Sequence, residues 1–310
     1  MARWSGGSSA LSRAMAVLEV FAPEEPFLSL TDIARRTGLA ASSAHAIVTE
    51  LTRHGLLERL EDRSYRLGNR LWELGARTPG ALGLREIALP YLQAVQAAVR
   101  QHAQLCVRSE LDVLVVERLS ARGAVLNASI IGGRIPLDHS SSGLVLLAGA
   151  HEDVLHHLLD RGLRPATASG IATEAELRRA VAETGREGYA VASGFIHPVS
   201  RGIAVPIRGT HDVVIGAIGV VVANDHAPAD PYVDLLRRAA SGITGSLLRR
   251  YLPSGHPAAL PGGRYARMVN SSEASMRYFE QSDEQGLAWH PPVVPAPPSS
   301  GGASPTSAPS

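Results

Sequence analysis

The sequence predicts an α+β fold, with a small helical unit ending in a two-stranded wing ahead of a larger unit of strands and helices. Three observations predict it. Residues 28–67 read as two short helices around a Gly turn followed by a hairpin. Beyond His102 the helical apolar period gives way to strand-length runs of Val, Ile and Leu, then helices, then two more strands and a long helix, an order typical of a mostly antiparallel sheet with segregated helices. From Leu252 onward Pro, Gly and Ser dominate and apolar periodicity is lost, which predicts disorder.

Length and composition set the frame. At 310 residues and 45% hydrophobic, the chain is long enough for two domains with real cores and a tail. The formal net charge is +1, and residues 1–77 carry ten arginines against nine acidic residues. No diffuse basic field exists, so any affinity for nucleic acid must come from placed charges. Cys106 is the only cysteine, which excludes an intramolecular disulfide; its apolar neighbours Leu105 and Val107 predict a buried, inert thiol on a strand. Met1 to Ser9 is polar and the segment from Leu11 to Phe21 is too short and too amphipathic for a secretory core or a membrane span, so a cytoplasmic protein is expected.

In chain order, the apolar positions Leu11, Ala14, Met15, Leu18 and Phe21 predict a helix from Ala10 that Pro23 ends. Ser29, with Asp32 three residues on, starts a helix that buries Leu30, Ile33 and Ala34, and Thr37-Gly38 breaks it. The next helix buries Ala44, Ile47, Val48 and Leu51 and turns Ser42, Ser43, His45, Ala46, Thr49, Glu50 and Arg53 outward. Leu56 to Leu60 and Ser64 to Leu67 form the hairpin around Glu61-Asp62-Arg63. A helix at 68–76 follows, then a second run from Leu82 to His102 that Pro90 kinks or divides. Strands are expected at Leu105–Ser109, Val113–Leu119 and Val125–Ile131. Helices are expected from about Ser141 to Gly149, from Val154 to Leu159, and from Thr173 to Glu187, the last opened by a Thr173/Glu176 capping box. The strands Ile203–Arg208 and Val213–Val222 flank a turn at 209–212, and Pro231 opens a helix to about Tyr251 whose stripe Val233, Leu236, Ala240, Ile243 and Leu247 faces a core.

Two helices joined by a short Gly turn, followed by a wing, point to a helix-turn-helix whose second helix enters a major groove. An outward face of Ser, Ala, His and Thr is small enough for close approach. Arg63, Tyr65 and Arg66 on the wing are available for phosphates. Ser42 has a competing role as the helix N-cap, and Arg53 as a charge at the helix end.

Enzyme and metal readings find less support. The histidines of the His151-Glu152 to His156-His157 stretch miss the i, i+4 spacing that places two zinc ligands on one face, and no metal or cofactor is expected. Ser140 to Ser142 lack a G-x-S-x-G elbow, and the Gly pairs at 132–133 and 262–263 lack the Gly-Lys-Ser/Thr of a phosphate loop.

The whole arrangement resembles the IclR family of bacterial transcription regulators over about residues 10–251. The stretches LSRAMAVLEVF, LSLTDIARRTGLAASSAHAIVTELTRHGLLER, YRLGNRLWELG, GGRIPLDHSSSGLVLLA, EGYAV, and RGIAVPIRG to VIGAIGVVV carry the likeness. The resemblance implies a winged helix-turn-helix domain at 10–77 behind a flexible arm at 1–9. It also implies a linker helix region at 78–102, a GAF-like effector-binding domain at 103–251 and a disordered tail at 252–310. It further implies homodimers or tetramers on palindromic DNA operators, control by a small-molecule effector, and no enzyme activity.

Departures from the family pattern refine that expectation. Ala41 and Ala46 stand where the family usually has basic residues, leaving Ser42, Ser43, His45, Thr49 and Arg53 to read sequence, with Arg36, Arg63 and Arg66 on phosphates. In the effector domain the family's acidic residue, cysteine and two serines match Ala192, Gly202, Gly219 and Val221, and its Gly-Lys matches Gly143-Leu144. A pocket of Ile135, Ala192, Gly202, Gly219 and Val221, with Ser140, Ser141 and Ser142 at a helix start, favours an effector larger or more apolar than a two- or three-carbon acid. Two alternatives stand beside this: a DNA-binding scaffold without effector control, and an enzyme of GAF-like fold.

Overall fold

The computed structural model describes residues 9–22, 25–75, 81–209, 212–225 and 227–250. Most of the arm, the Thr-Pro-Gly break at 78–80, Thr210 and His211 of the 209–212 turn, and the tail lie outside the described residues. The described residues form two compact units.

In the first unit, helices α1 (Ala10–Glu19), α2 (Leu30–Thr37) and α3 (Ala41–Arg53) precede a two-stranded wing, β1 (Leu57–Arg59) and β2 (Tyr65–Leu67), and helix α4 (Asn69–Gly75). Ser29 caps α2 by accepting from the Asp32 N–H at 3.1 Å, and its hydroxyl donates to the Asp32 carboxylate at 2.6 Å. Gly38 ends α2 at φ +69°, a conformation that costs a residue with a Cβ but not glycine. The core gathers Val17, Leu28, Ile33, Val48, Leu51, Leu57 and Tyr65. The expected face of α1 is corrected here. Leu11 is 72% exposed and Met15 is exposed, whereas Val17 is fully buried with Ala14, Leu18 and Phe21 packed beside it. The stripe Ala14, Val17, Leu18 and Phe21 also obeys the i, i+3, i+4, i+7 rule, so periodicity alone admitted two faces.

The second unit opens with α5 (Ala81–Val99), continues through strands β3 (His102–Ser109), β4 (Asp112–Ser120) and β5 (Arg134–Pro136), then helices α6 (Ser141–Ala148), α7 (Glu152–Arg161) and α8 (Glu174–Glu187), and closes with β6 (Ala190–Ser193), β7 (Ser200–Arg208), β8 (Val214–Ala223) and α9 (Asp230–Arg250). The sheet is antiparallel throughout, in the order β5-β4-β3-β8-β7-β6. One face packs against α5 and α9 through residues such as Leu92, Leu105, Ile203, Ile218, Leu236 and Ile243. The other packs against α6, α7 and α8 through Cys106, Val113, Leu144, Leu158, Leu177 and Ala217. The expected α9 stripe is buried as read, and Thr173 and Glu176 form the capping box of α8.

Three expectations are corrected. Pro90 does not divide the run but sits inside a continuous α5, where the carbonyl it leaves free belongs to Glu86, a residue exposed to water. His102 begins β3 instead of ending the preceding helix. Residues 125–131 are not a strand: main-chain groups at Val125, Asn127 and Ser129 are taken by side chains of Gln101, His102 and Arg118, so this loop has no ladder to join.

Candidate DNA interface and ligand pocket

Helix α3 exposes Ala41, Ser42, His45, Ala46, Thr49, Glu50 and Arg53, with Ser43 half-buried, and buries Ala44, Val48 and Leu51. Its N-cap is Ala40, which makes no side-chain cap bond, so Ser42 lies inside the first turn and its hydroxyl is not used as a cap. The Thr49 hydroxyl donates to the His45 carbonyl at 2.8 Å, which leaves its lone pairs and methyl for a groove. Arg53 donates to the Glu50 carboxylate at 2.7 Å and lies 2.9 Å from the His54 ring; the exposed Glu50 carboxyl is held below its ordinary pKa chiefly by the Arg53 hydrogen bond. Arg36 pairs with Glu25 at 2.5 Å and Arg66 with Glu58 at 2.7 Å. Pairs near solvent of this kind are weak, so a phosphate can displace the carboxylate. Arg63 stands at the wing turn with φ +67°, exposed and without a recorded side-chain partner among the described residues.

Tyr65 is corrected. It is 8% exposed, packs in the core, and exchanges two main-chain hydrogen bonds with Leu28, so its side chain is a structural pin and not a phosphate contact. Strand alternation, with Arg66 outward, was the signal that fixes this.

The pocket lies over the α6 face of the sheet. Register places Ala192, Gly202 and Val221 side by side across β6, β7 and β8, with Arg118, Gln104 and Gly219 in the neighbouring row across β4, β3 and β8. Cross-strand neighbours point to the same face, so Ala192, Gly202, Val221 and Gln104 make a floor to the cavity. The walls are residues 127–129, Ile135, His139, Ser140, Ser141, Phe195, Ile196 and Ser200, around a narrow cavity of about 40 Å³ that is partly open to solvent. Ile135, Ser140, Ser141, Ala192, Gly202 and Val221 therefore meet at one cavity. Ser142 and Gly219 do not line it. Ser142 is turned to the core beside Cys106, and a Cβ on Gly219 would lie 2.8 Å from the Ile203 carbonyl, so that glycine serves strand packing.

Ser140 caps α6 by accepting from the Gly143 N–H at 3.1 Å. The N–H groups of Ser141 and Ser142 have no protein acceptor among the described residues, so a buried helix start faces the cavity side with donors to spare. His139 donates from Nε2 to the Arg164 carbonyl at 2.9 Å, since a carbonyl only accepts. Its Nδ1 lies 3.2 Å from the buried Asp138 carboxylate, close but poorly aligned for a hydrogen bond. Asp138 raises the His139 pKa above its ordinary value, against the opposing effects of desolvation and of Arg161. Burial pushes the Cys106 thiol up to about 12, as an inert buried thiol requires.

The cavity is less apolar than the sequence suggested. Gln104, Asn127, Ser129, His139 and Ser200 contribute polar groups that the sequence reading missed. Gln104 alone carried a visible signal, a polar residue at an inward position of an otherwise apolar strand. Among the described residues no group of His, Cys, Asp and Glu could hold a metal, and no helix is long and apolar enough to cross a membrane.

A winged helix-turn-helix followed by a domain with a pocket on its antiparallel sheet defines a DNA-binding regulator with a ligand-binding domain. Sequence comparison makes this specific: residues 10–61 match the IclR helix-turn-helix domain and residues 78–244 match the C-terminal domain of the bacterial transcriptional regulator IclR. The chain belongs to the IclR family of transcriptional regulators. It is 28% identical over 245 residues to the transcriptional regulator XynR of Escherichia coli, covering 76% of this chain and 96% of that one. It is 29% identical, over 76% of this chain and 95% of the relative, to the glycerol operon regulatory protein of Streptomyces griseus. Among solved structures, it is similar to an IclR homolog from Microbacterium hydrocarbonoxydans in complex with 4-hydroxybenzoate, at 43% identity and a TM-score of 0.73 over 78% of this chain and 100% of that one.

Proposed function

We propose that this regulator acts in the cytoplasm as a homodimer on a palindromic operator, and that a small aromatic carboxylic acid is its effector. The observation that carries the effector reading is the pocket floor. Ala192, Gly202 and Val221 lie side by side as an apolar floor beside the start of α6, whose spare N–H groups suit a carboxylate. The 4-hydroxybenzoate bound by the 43% identical Microbacterium protein supports the same class. The DNA reading assigns Ser42, Ser43, His45, Thr49 and Arg53 to bases, and Arg36, Arg63 and Arg66 to phosphates. Self-association is supported by α4, which buries none of its own residues and leaves Trp72 76% exposed.

Thermal shift against benzoate, 4-hydroxybenzoate and pyruvate tests the effector. The aromatic acids are expected to stabilise by about 2.7 kcal/mol at one hundred times Kd while pyruvate gives no shift. A shift with pyruvate alone would overturn the assignment, and none with any acid would favour a regulator without effector control. Sequencing of genomic fragments retained by the protein and by a His45→Ala, Thr49→Ala variant tests the DNA reading. One palindrome is expected, lost or altered in the variant; an identical palindrome from both would show that α3 does not read sequence.

A further inference from the structure

The cavity as it stands is too small for a ring. An apolar cavity of about 150 Å³ takes up benzene, whereas this one holds about 40 Å³. A wall must therefore withdraw before an aromatic acid enters, and main-chain bonding distinguishes the candidates. Ala192, Gly202 and Val221 are fixed by the ladders of β6, β7 and β8, and Ile135 by pairing with Val113. Ser141 belongs to α6, which Gly143 seats against the Leu137 carbonyl, and His139 is tied through Nε2 to the Arg164 carbonyl. Arg118 grips the carbonyls of Asn127 and Ser129, on either side of Ala128. The turn from Gly194 to Val199, between β6 and β7, is held only at its ends. Gly194 donates to the Ser200 carbonyl at 2.9 Å, and Asn224 donates from its main chain to Val199 at 2.9 Å and from its side chain to Pro198 at 3.0 Å. At the tip, the N–H groups of Phe195 and Ile196 have no acceptor among the described residues, and the Phe195 carbonyl accepts only from the Thr167 hydroxyl, at 3.3 Å.

Phe195 is the part of that tip with the bulk to matter. Its side chain is half-buried, lines the cavity and packs against the core between the sheet and α6, as Ile135 does. A phenyl ring that swings out leaves room for a phenyl ring, and the incoming ring restores the contacts that the side chain gives up. A two- or three-carbon acid in the same place would leave part of the space empty, at a cost that grows with the void. Gly194, directly before the ring, sits at φ +72° in a region that glycine enters freely. We infer that Phe195 is the specificity-determining residue of the pocket: its ring keeps the effector's place in the empty protein, turns out about Gly194 when an aromatic acid enters, and so sets the size of group accepted. This rests on the aromatic-acid reading proposed above and names the residue that enforces it.

The experiment is calorimetric titration of the full-length protein and of Phe195→Ala with benzoate and 2-naphthoate. The natural protein is expected to bind 2-naphthoate at least tenfold more weakly than benzoate. Phe195→Ala, with no ring to expel and more room, is expected to bind benzoate at least tenfold more tightly than the natural protein does and to bring the two acids within about threefold of each other. Benzoate affinity unchanged or weakened in Phe195→Ala, or equal affinity of the natural protein for both acids, would make Phe195 a fixed wall and overturn the inference while leaving the aromatic-acid effector intact. Binding of neither acid by either protein would overturn both. A second variant, Phe195→Trp, reads the movement itself. Emission of the added indole, taken as the difference from the natural protein, is expected to shift to the red as benzoate sends it from pocket to solvent. An unshifted or blue-shifted emission overturns the inference, and this readout decides the matter should Phe195→Ala fail to fold.

Discussion

Arg63 occupies a left-handed turn position that most sequences give to glycine or asparagine. Holding an arginine there costs about 1 kcal/mol. Arg63→Gly is therefore expected to leave stability equal or up to about 1 kcal/mol higher while lowering affinity for all DNA sequences alike and flattening the salt dependence by about one counterion. Denaturant titration and binding at several salt concentrations read the two effects, and unchanged DNA affinity would remove Arg63 from the interface. His139 gives a second prediction at this scale. Its folded pKa is raised chiefly by Asp138, so the stability it contributes is complete below about 6.5, the unfolded value, and is lost as pH rises through the folded value. Unfolding free energy should fall with pH above 6.5 more steeply in the natural protein than in Asp138→Asn, and equal slopes would show that the pair is not coupled to folding. These residues also show what was legible in advance. Ser140 and Ala192 were legible as pocket residues from a helix start and a family pattern, whereas Asn127 and Ser129 sit in a loop whose partners are distant in sequence and whose apolar run resembled a strand. Tyr65 was misplaced because a wing was read for charge before its period of two was applied.

At the scale of elements, α6 is the part on which the pocket depends. Buried on nearly every side, it is apolar all round and so carries no amphipathic signal; its expected limits came from Ser-Ser-Ser and the following Gly. Gly143 is required by contact and not by a turn: a Cβ there would lie 2.0 Å from the Leu137 carbonyl oxygen, main chain that cannot rotate away. Gly143→Ala is expected to cost about 1–3 kcal/mol by forcing α6 off its seat, and to weaken ligand binding through displaced Ser140 and Ser141. A melting temperature equal to that of the natural protein would show that the helix start is free to shift. Elements with a single apolar stripe, such as α3, α8 and α9, were legible from periodicity; α1 was legible as a helix but not in its buried face, because two stripes fitted equally well and only packing chose between them. Residues 125–131 failed for the opposite reason, since β propensity was real but side chains had already claimed their main-chain groups.

For the whole molecule, the predicted α+β class and winged helix-turn-helix hold, and the family confirms them. What a single chain leaves open is what covers its exposed apolar side chains. Trp72 at 76% exposure, on a helix with nothing buried, marks a surface that self-association would cover. Trp72→Glu is expected to raise the dimer dissociation constant at least tenfold in sedimentation experiments, with the melting behaviour of the ligand-binding unit unchanged; an unaltered dimer would place the interface elsewhere.

Arg118 and Glu117 are adjacent on β4 and serve opposite faces. Arg118 holds the main chain of the pocket loop, and Glu117 meets Arg85 of α5 at 2.6 Å on the other side of the sheet. Arg118 grips carbonyl oxygens, which every residue possesses, so its hold on the loop does not depend on which side chains stand there, while the Asn127 side chain adds a second hold by accepting from Ser129. The vocabulary of recognition is thus written on one set of atoms and the grammar of attachment on another. A descendant of this protein could exchange its effector by rewriting loop side chains and keep unchanged the strand that joins the ligand's side of the sheet to the helix on the other.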